Sequence, residues 1–395
     1  MQLQEGQVDA DLTRELTDTI RRVVDERLIP AEEEVAASDR IPEEIGKLLR
    51  ELGLFGISVP AAYGGLGLPL EAEVEILFEL CRASVAFRSM LGTNNGIGSQ
   101  GIVIDGTEEQ RRHYLPRIAS GELIASFCLT EPDSGSDAAS LSARAQQDGD
   151  DFVISGTKRY ITNAPEAGLF TVMARSEPEV PGAGGISAFL IEADTPGITV
   201  GAWDKKMGQR GAHTADVIFD GVRVPASAII GGPAKRGQGF KTAMKVLDRG
   251  RIHLSAVCIG AAQRLLDEAL SYAMERQQFG EAIAQFQLIQ AMLADSKAEL
   301  YAARCMTLDA ARRFDAGERV PLLASCCKLY ASEMVGRVAD RAVQIHGGAG
   351  YMADYAVERL YRDARLFRIY EGTTQIQQIV IARGMIREAE QALGR

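Results

Sequence analysis

Four short segments hold residue types that core packing does not require. The first is Cys128-Leu129-Thr130-Glu131-Pro132-Asp133-Ser134-Gly135-Ser136-Asp137. It leaves a predicted strand and gathers hydroxyls, a glycine and carboxylates into one turn, so it either offers donors to a polar ligand or is an ordinary turn. The second, Lys158-Arg159-Tyr160-Ile161-Thr162-Asn163, sets an aromatic beside hydroxyl and amide groups at a strand end. That mixture lines a planar ligand or belongs to a plain edge strand. The third is Gln344-Ile345-His346-Gly347-Gly348-Ala349-Gly350-Tyr351. Its glycines allow close approach to a backbone, or they stop a helix. The fourth is Tyr370-Glu371-Gly372-Thr373-Thr374-Gln375. Here a lone carboxylate follows the apolar run Leu366-Phe367-Arg368-Ile369-Tyr370 and precedes a helix that Thr373 or Thr374 can cap. Desolvation would raise the pKa of Glu371, which suits a general base, although capping alone explains the segment equally well.

The elements that position these segments follow from apolar periodicity. Residues 1–122 read as helical, with Pro30 and Pro42 at helix starts and a helical pattern from Pro69 to Cys81. The Gly64, Gly65 and Gly67 cluster has no strand before it, so it is a loop and not a dinucleotide fingerprint. Across 123–232 the apolar runs are short and β-branched and are punctuated by Gly, Pro, Asp and Asn, the pattern of an antiparallel β domain. From 233 to 395 the helical period returns. Phe240, Met244, Leu247, Leu254, Cys258, Leu265, Ala269 and Tyr272 form one stripe of a long helix. Arg251 lies on that stripe with Asp248 one turn before it, either as a structural pair or as a polar site facing a ligand. Further helices are expected near 283–315, 319–345 and 373–392. The fold class is α+β: a helical N-terminal domain, a middle antiparallel β domain and a C-terminal helical bundle.

Composition removes several function classes. The 395 residues include 43 Lys and Arg against 54 Asp and Glu, a net charge of −11. No basic field for nucleic acid is present, and no apolar run reaches the length of a membrane span. The acidic start fits neither a signal nor a transit peptide. The six cysteines show no CxxC and no Cys/His cluster, so neither zinc nor a disulfide framework is indicated. Reduced thiols in a cytoplasmic protein are expected.

In order, the segments TEPxxGSD, KxYITN, DRGR, RQQFG, QxxGGxGY and YEGTxQIQ resemble the acyl-CoA dehydrogenase family over essentially the whole chain. The resemblance implies that the C-terminal domain is a four-helix bundle and that FAD lies between it and the middle domain. It implies flavin contacts at Phe127, Leu129, Thr130, Ser136, Tyr160 and Thr162, with Ser136 also near substrate. It implies that Arg276, Gln278, Phe279 and Gln287 reach the adenine and pyrophosphate part of FAD held by a neighbouring subunit, where an arginine fork suits phosphate. Gln344, Gly347, Gly348, Thr373 and Gln375 are similarly implied to bind the cofactor, with His346 a passenger. A homotetramer, an acyl-CoA substrate and an electron-transferring flavoprotein as acceptor follow from the same likeness.

The resemblance also implies that Glu371 is the catalytic base, removing a proton alpha to the thioester carbonyl while hydride leaves for the flavin. Gly372, Asp248 and Arg251 match substrate-contacting positions. In an isovaleryl-type branch the base sits instead at the position of Gly250, which here has no side chain. Arg88, in Phe87-Arg88-Ser89-Met90-Leu91-Gly92, resembles the glutaryl-CoA dehydrogenase branch, where an arginine holds a distal substrate carboxylate. Two features depart from that branch: Gly92 replaces a serine, and Thr373-Thr374-Gln375-Ile376 looks more like short-chain members. Arg88 therefore either binds a substrate anion or pairs with a carboxylate such as Glu79. The expected substrate is a short or medium acyl-CoA. The alternatives are an acidic acyl-CoA, with or without decarboxylation, an acyl-CoA oxidase, and a non-catalytic binding protein on the same fold.

Overall fold

A computed structural model describes residues 10–394. Prolines open the early helices, as their fixed φ and missing N–H allow. Helix α1 (Ala10–Val23) runs through a π turn into α2 (Ile29–Ser38), which has Pro30 in its first turn. Helices α3 (Glu43–Glu51) and α4 (Leu70–Leu80) follow Pro42 and Pro69. Ser84 caps α5 (Val85–Asn95) by accepting from the Ala86 N–H. After α6 (Gln100–Asp105), Thr107 and Gln110 form a reciprocal capping box at the start of α7 (Glu108–Ala119).

Strands β1 (Ala125–Cys128), β2 (Arg144–Asp148), β3 (Asp151–Thr162), β4 (Leu169–Arg175), β5 (Ile186–Glu192), β6 (Ile198–Val200) and β7 (Thr214–Pro225) form one sheet. Their order is β1-β4-β2-β3-β7-β6, with β5 on the other side of β4. The ladders are antiparallel except for β1 beside β4 and one Arg144–Arg175 contact. The parallel pair arises because the chain leaves β1, builds β2 and β3, and returns alongside β1 through β4. Phe152, Phe170, Phe189 and Phe219 fill the core of this sheet.

The sequence stripe becomes α8 (Gly239–Glu275), a helix of 37 residues. A small hairpin, β8 (Gln277–Gln278) with β9 (Glu281–Ala282), turns the chain into α9 (Gln287–Asp315). This helix begins later than periodicity suggests because Ile283–Gln285 forms a 3-10 turn. Then come α10 (Pro321–His346), α11 (Ala356–Ala364) and α12 (Thr374–Ala392). The short α11 is a helix that the sequence reading did not separate. Helix α8 packs on α4, α9 and α10. Gly260 permits its approach to the N-terminal helices, since a Cβ there would lie 2.7 Å from the Cβ of Cys81. Among the described residues no helix is long and apolar enough to cross a membrane.

Candidate active site

Glu371 lies between the last 3-10 turn (Arg365–Arg368) and α12. Its backbone is left-handed, with φ +54°, a conformation that side-chain-bearing residues adopt at a cost. Thr373 caps α12 by accepting from the Ile376 N–H, one of the two caps expected from the sequence. The Glu371 carboxylate points at α8. A Cβ on Gly250 would lie 2.8 Å from its Oε2, so the two positions considered for a base converge on one point in space. Oε2 is buried and has no hydrogen-bond partner among the described residues. Burial pushes the carboxyl above its ordinary value, against the pull of Arg88, Lys328 and Arg251.

Helix α8 supplies much of the surrounding charge. Arg251 binds Asp248 at 2.8 Å and Ser325 on α10 at 3.4 Å, while its Nε is buried without a partner. The Asp248–Arg251 pair expected from the sequence is an ion pair whose two residues bracket Gly250 on α8. Burial raises the Asp248 carboxyl, with Arg251 opposing.

Arg88 differs from one of its two expectations. Glu79 is not its partner: that carboxylate binds Arg21 and Arg82 on the outer side of α4. The Arg88 Nε instead donates to His253 Nε2 at 3.0 Å. His253 in turn meets Glu73 through Nδ1, and Glu73 pairs with Arg249. Burial pushes the Glu73 carboxyl up, but Arg249 and His253 outweigh it and hold the group at about 2. Burial, reinforced by Arg88, takes His253 down to about 4, so the imidazole is neutral and accepts from Arg88. Among the described residues Arg88 forms no ion pair. Its guanidinium lies over Gly92, where a Cβ would come within 2.9 Å of Cζ.

The first two segments meet. The Arg159 N–H donates to the Thr130 carbonyl at 2.8 Å, and Ser126 Oγ donates to the Thr162 carbonyl. Beneath them Lys158 is fully buried against Glu131 at 2.7 Å and also donates to the Leu129 carbonyl. Glu131 thus serves the turn from inside, binding Ser142 as well. Phe127, Leu129, Thr130 and Thr162 stay half-buried at this strand end, with Ser136 and Tyr160 exposed. Tyr160 is also left-handed, with φ +58°. β2 pairs with β3 only over Asp151–Ser155, so the Lys158–Thr162 end has β7 on one side and the loop at Thr130, which the Arg159 N–H meets, on the other. Asn163 ties this end to α5 by donating to Ser89 O and Thr93 Oγ1.

The remaining candidates form a second, distant group. Arg276 follows α8 and Gln278 lies in the hairpin, with Phe279 at its tip, 95% exposed. Gln287 opens α9 in the open, and Gln344, Gly347 and Gly348 end α10. His346 stacks on Tyr272 with ring centroids 4.2 Å apart, which joins the ends of α8 and α10. Arg276 lies ~39 Å along α8 from Gly250, at about 1.5 Å per residue. Within one chain this group is therefore remote from Glu371. Thr373 is beside Glu371, and Gln375 is exposed on the first turn of α12. Among the described residues no group of three or more His, Cys, Asp or Glu side chains could hold a metal ion.

Sequence reasoning missed Lys158, Glu73, His253 and Lys328. Each is a buried polar group whose partner lies far along the chain. The available signal was a charged residue on an apolar helix or strand face.

Comparison with known proteins agrees with this geometry. Residues 11–122, 126–222 and 237–386 match the N-terminal, middle and C-terminal domains of acyl-CoA dehydrogenases. A probable acyl-CoA dehydrogenase of Mycobacterium leprae is 41% identical over 94% of this chain and 95% of its own length. The butyryl-CoA dehydrogenase structure from Megasphaera elsdenii has a TM-score of 0.91 at 32% identity, covering 96% of this chain and 100% of that one. A chain in a structure described as the electron transferring flavoprotein of Acidaminococcus fermentans also has a TM-score of 0.91, at 36% identity, covering 98% of this chain and 100% of that one. The chain belongs to the acyl-CoA dehydrogenase family, flavoprotein oxidoreductases that act on acyl-CoA.

Proposed function

We propose that this chain is an FAD-dependent dehydrogenase that introduces a double bond between the α and β carbons of a short or medium acyl-CoA, with Glu371 as the base. One observation carries the reading: the Glu371 Oε2 is buried, without a partner, and aimed at the bare backbone of Gly250. A carboxylate so placed is free to take a proton from a substrate lying between it and the strand ends. Its raised pKa brings it closer to the operating pH, where a base is most effective. Among the described residues the Glu371 N–H makes no hydrogen bond, which leaves it free to stabilise a developing enolate oxygen. Asp248, Arg251 and Gly372 surround this point as substrate contacts.

The residues present fit FAD. Half-buried Phe127, Leu129, Thr130 and Thr162 would line the flavin ring, with Ser136 and Tyr160 at the rim. A Cβ at Gly135, Gly347 or Gly348 would meet nothing within 4 Å, so those backbones are open to a large ligand. Bound there, FAD supplies the acceptor for the hydride that leaves the β carbon. Gln344, Gly347, Gly348, Thr373 and Gln375 would also bind the cofactor, and Arg276, Gln278, Phe279 and Gln287 would hold the adenine and pyrophosphate part from a second copy of the chain. Their distance from Glu371 supports a homo-oligomer, a tetramer in our reading, as do the exposed Phe279, Leu288 and Tyr351. The chain divides at 122/123 and 232/233. An electron-transferring flavoprotein is the proposed acceptor, supported by the Acidaminococcus likeness. The free cysteines suit the reducing cytoplasm.

A second reading has its own observation. Among the described residues Arg88 is buried and forms no ion pair, and its charge is felt at Glu371. An acidic acyl chain would give it a partner. The test is anaerobic mixing of the yellow holoenzyme with butyryl-CoA, longer acyl-CoAs and glutaryl-CoA. Bleaching by a short or medium chain supports the first reading, and bleaching by glutaryl-CoA alone supports the second. A protein that purifies colourless and takes up no FAD contradicts both. Rapid peroxide formation in air marks an oxidase.

A further inference from the structure

Lys328 on α10 is among the largest fully buried side chains, yet it makes no ion pair among the described residues. A lysine so placed normally has a carboxylate beside it. Its Nζ instead donates to a single oxygen, the Gly372 carbonyl, at 2.6 Å. From α12 the fully buried Gln377 donates to the same carbonyl and to that of Glu371, each at 3.1 Å. Two donors from two helices therefore hold the successive carbonyls of Glu371 and Gly372.

We propose that Lys328 is a positioning residue, a clamp whose ammonium, together with Gln377, holds the left-handed turn at Glu371 so that the carboxylate stays over Gly250. This rests on the reading of Glu371 as the base. The turn needs such a hold. Glu371 and Gly372 both have positive φ, at 54° and 89°, and among the described residues the Glu371 N–H contributes no hydrogen bond of its own. Released, the backbone would relax toward commoner conformations and carry the carboxylate with it. An ammonium suits this role better than an amide because it also places a positive charge near the carboxylate without bonding to it. The other charges are accounted for. Arg88 from α5 and Arg251 from α8 also face Glu371. Cys258 and Arg251 from α8 and Glu333 from α10 face Lys328, and Tyr370 adjoins the site. Glu333 is itself engaged by Thr374 and Arg368.

The experiment compares Lys328→Met and Gln377→Met with wild type as FAD-loaded enzymes of unchanged mass. The readouts are anaerobic flavin bleaching by the acyl-CoA that reduces wild type fastest, its pH profile, and hydrogen exchange of the Ile376 and Gln377 amides, which Thr373 accepts from beside the turn. For Lys328→Met we expect bleaching slowed by about ten- to a hundredfold, as for a misplaced catalytic group, with little change in KM. Exchange should rise, and the midpoint of the profile should move to higher pH because a nearby cation is gone. Gln377→Met should slow bleaching and raise exchange while leaving the midpoint in place, since no charge is lost. Unchanged exchange in either variant, or an unmoved midpoint in Lys328→Met, would overturn the clamp. If Lys328→Met does not fold, exchange in Gln377→Met still decides. Wild-type bleaching by Glu371→Gln would overturn the base assignment itself, a separate result.

Discussion

Two buried carboxylates, Glu371 and Glu73, face neighbouring positions of α8 and behave in opposite ways. Glu73 meets Arg249 and His253 directly, and these contacts outweigh its burial and hold it at about 2. Glu371 has three cations nearby but no hydrogen bond to Oε2, and burial wins, raising its pKa. Both sites combine carboxylate, cations and low solvent access. Contact decides the outcome: a bonded carboxylate is a structural anion, whereas one held away from its cations remains basic. Arg88 links the two sites, with its Nε committed to His253 and its charge felt at Glu371.

This contrast can be broken from either side. Glu371→Gln keeps the volume but cannot take a proton. Flavin should stay bound while turnover falls by at least about 10²–10⁴-fold, measured as anaerobic bleaching. Glu73→Gln should act on stability instead. It leaves Arg249 buried without its anion, a loss of about 3–5 kcal/mol in denaturant unfolding. A Glu73→Gln protein of wild-type stability would mean that the pair contributes nothing net. Arg88→Ala sharpens the link between the sites. If Arg88 meets a distal anion, kcat/KM for glutaryl-CoA should drop by about 1.5–3 kcal/mol and that for butyryl-CoA little. Equal losses would make it part of the Glu73 network alone. Gly250→Ala is the mildest change. Its methyl would crowd the end of the Glu371 side chain and meet Ile97 Cγ2 at an ordinary 3.9 Å, so stability should stay within about 1 kcal/mol, helped by alanine's helix propensity. Turnover should fall about tenfold as the carboxylate is displaced.

Much of this was legible in the residues. The change from helical to alternating periodicity located the β region, and the stripe from Phe240 to Tyr272 marked α8 with its Asp248–Arg251 pair. Glu371 stood out because a lone acid after an apolar run is unusual. Local pattern fell short where a contact spans the chain. Glu73 read as one of several helical glutamates, because nothing near it announces His253, 180 residues away. One of the two readings of Arg88 paired it with the nearby Glu79, whereas folding brings it to His253 on α8. The parallel pairing of β1 with β4 escaped for the same reason, since strand pattern reports which face is buried and not which neighbour is chosen. The separation of the Arg276 group from Glu371 follows from the straight length of α8, which periodicity supports but motif order conceals.

The central claim is that burial without contact makes Glu371 a base of raised pKa. The direct test is the pH dependence of kcat/KM for flavin reduction, which reports the free enzyme. A base must be ionised to act, so the rate should be full at high pH and fall as pH drops through the pKa of Glu371. The account predicts a midpoint above the ordinary 4.5 of a glutamate, absent in Glu371→Gln. A wild-type rate that stays flat down to pH 4.5, or a midpoint that persists in Glu371→Gln, would contradict it.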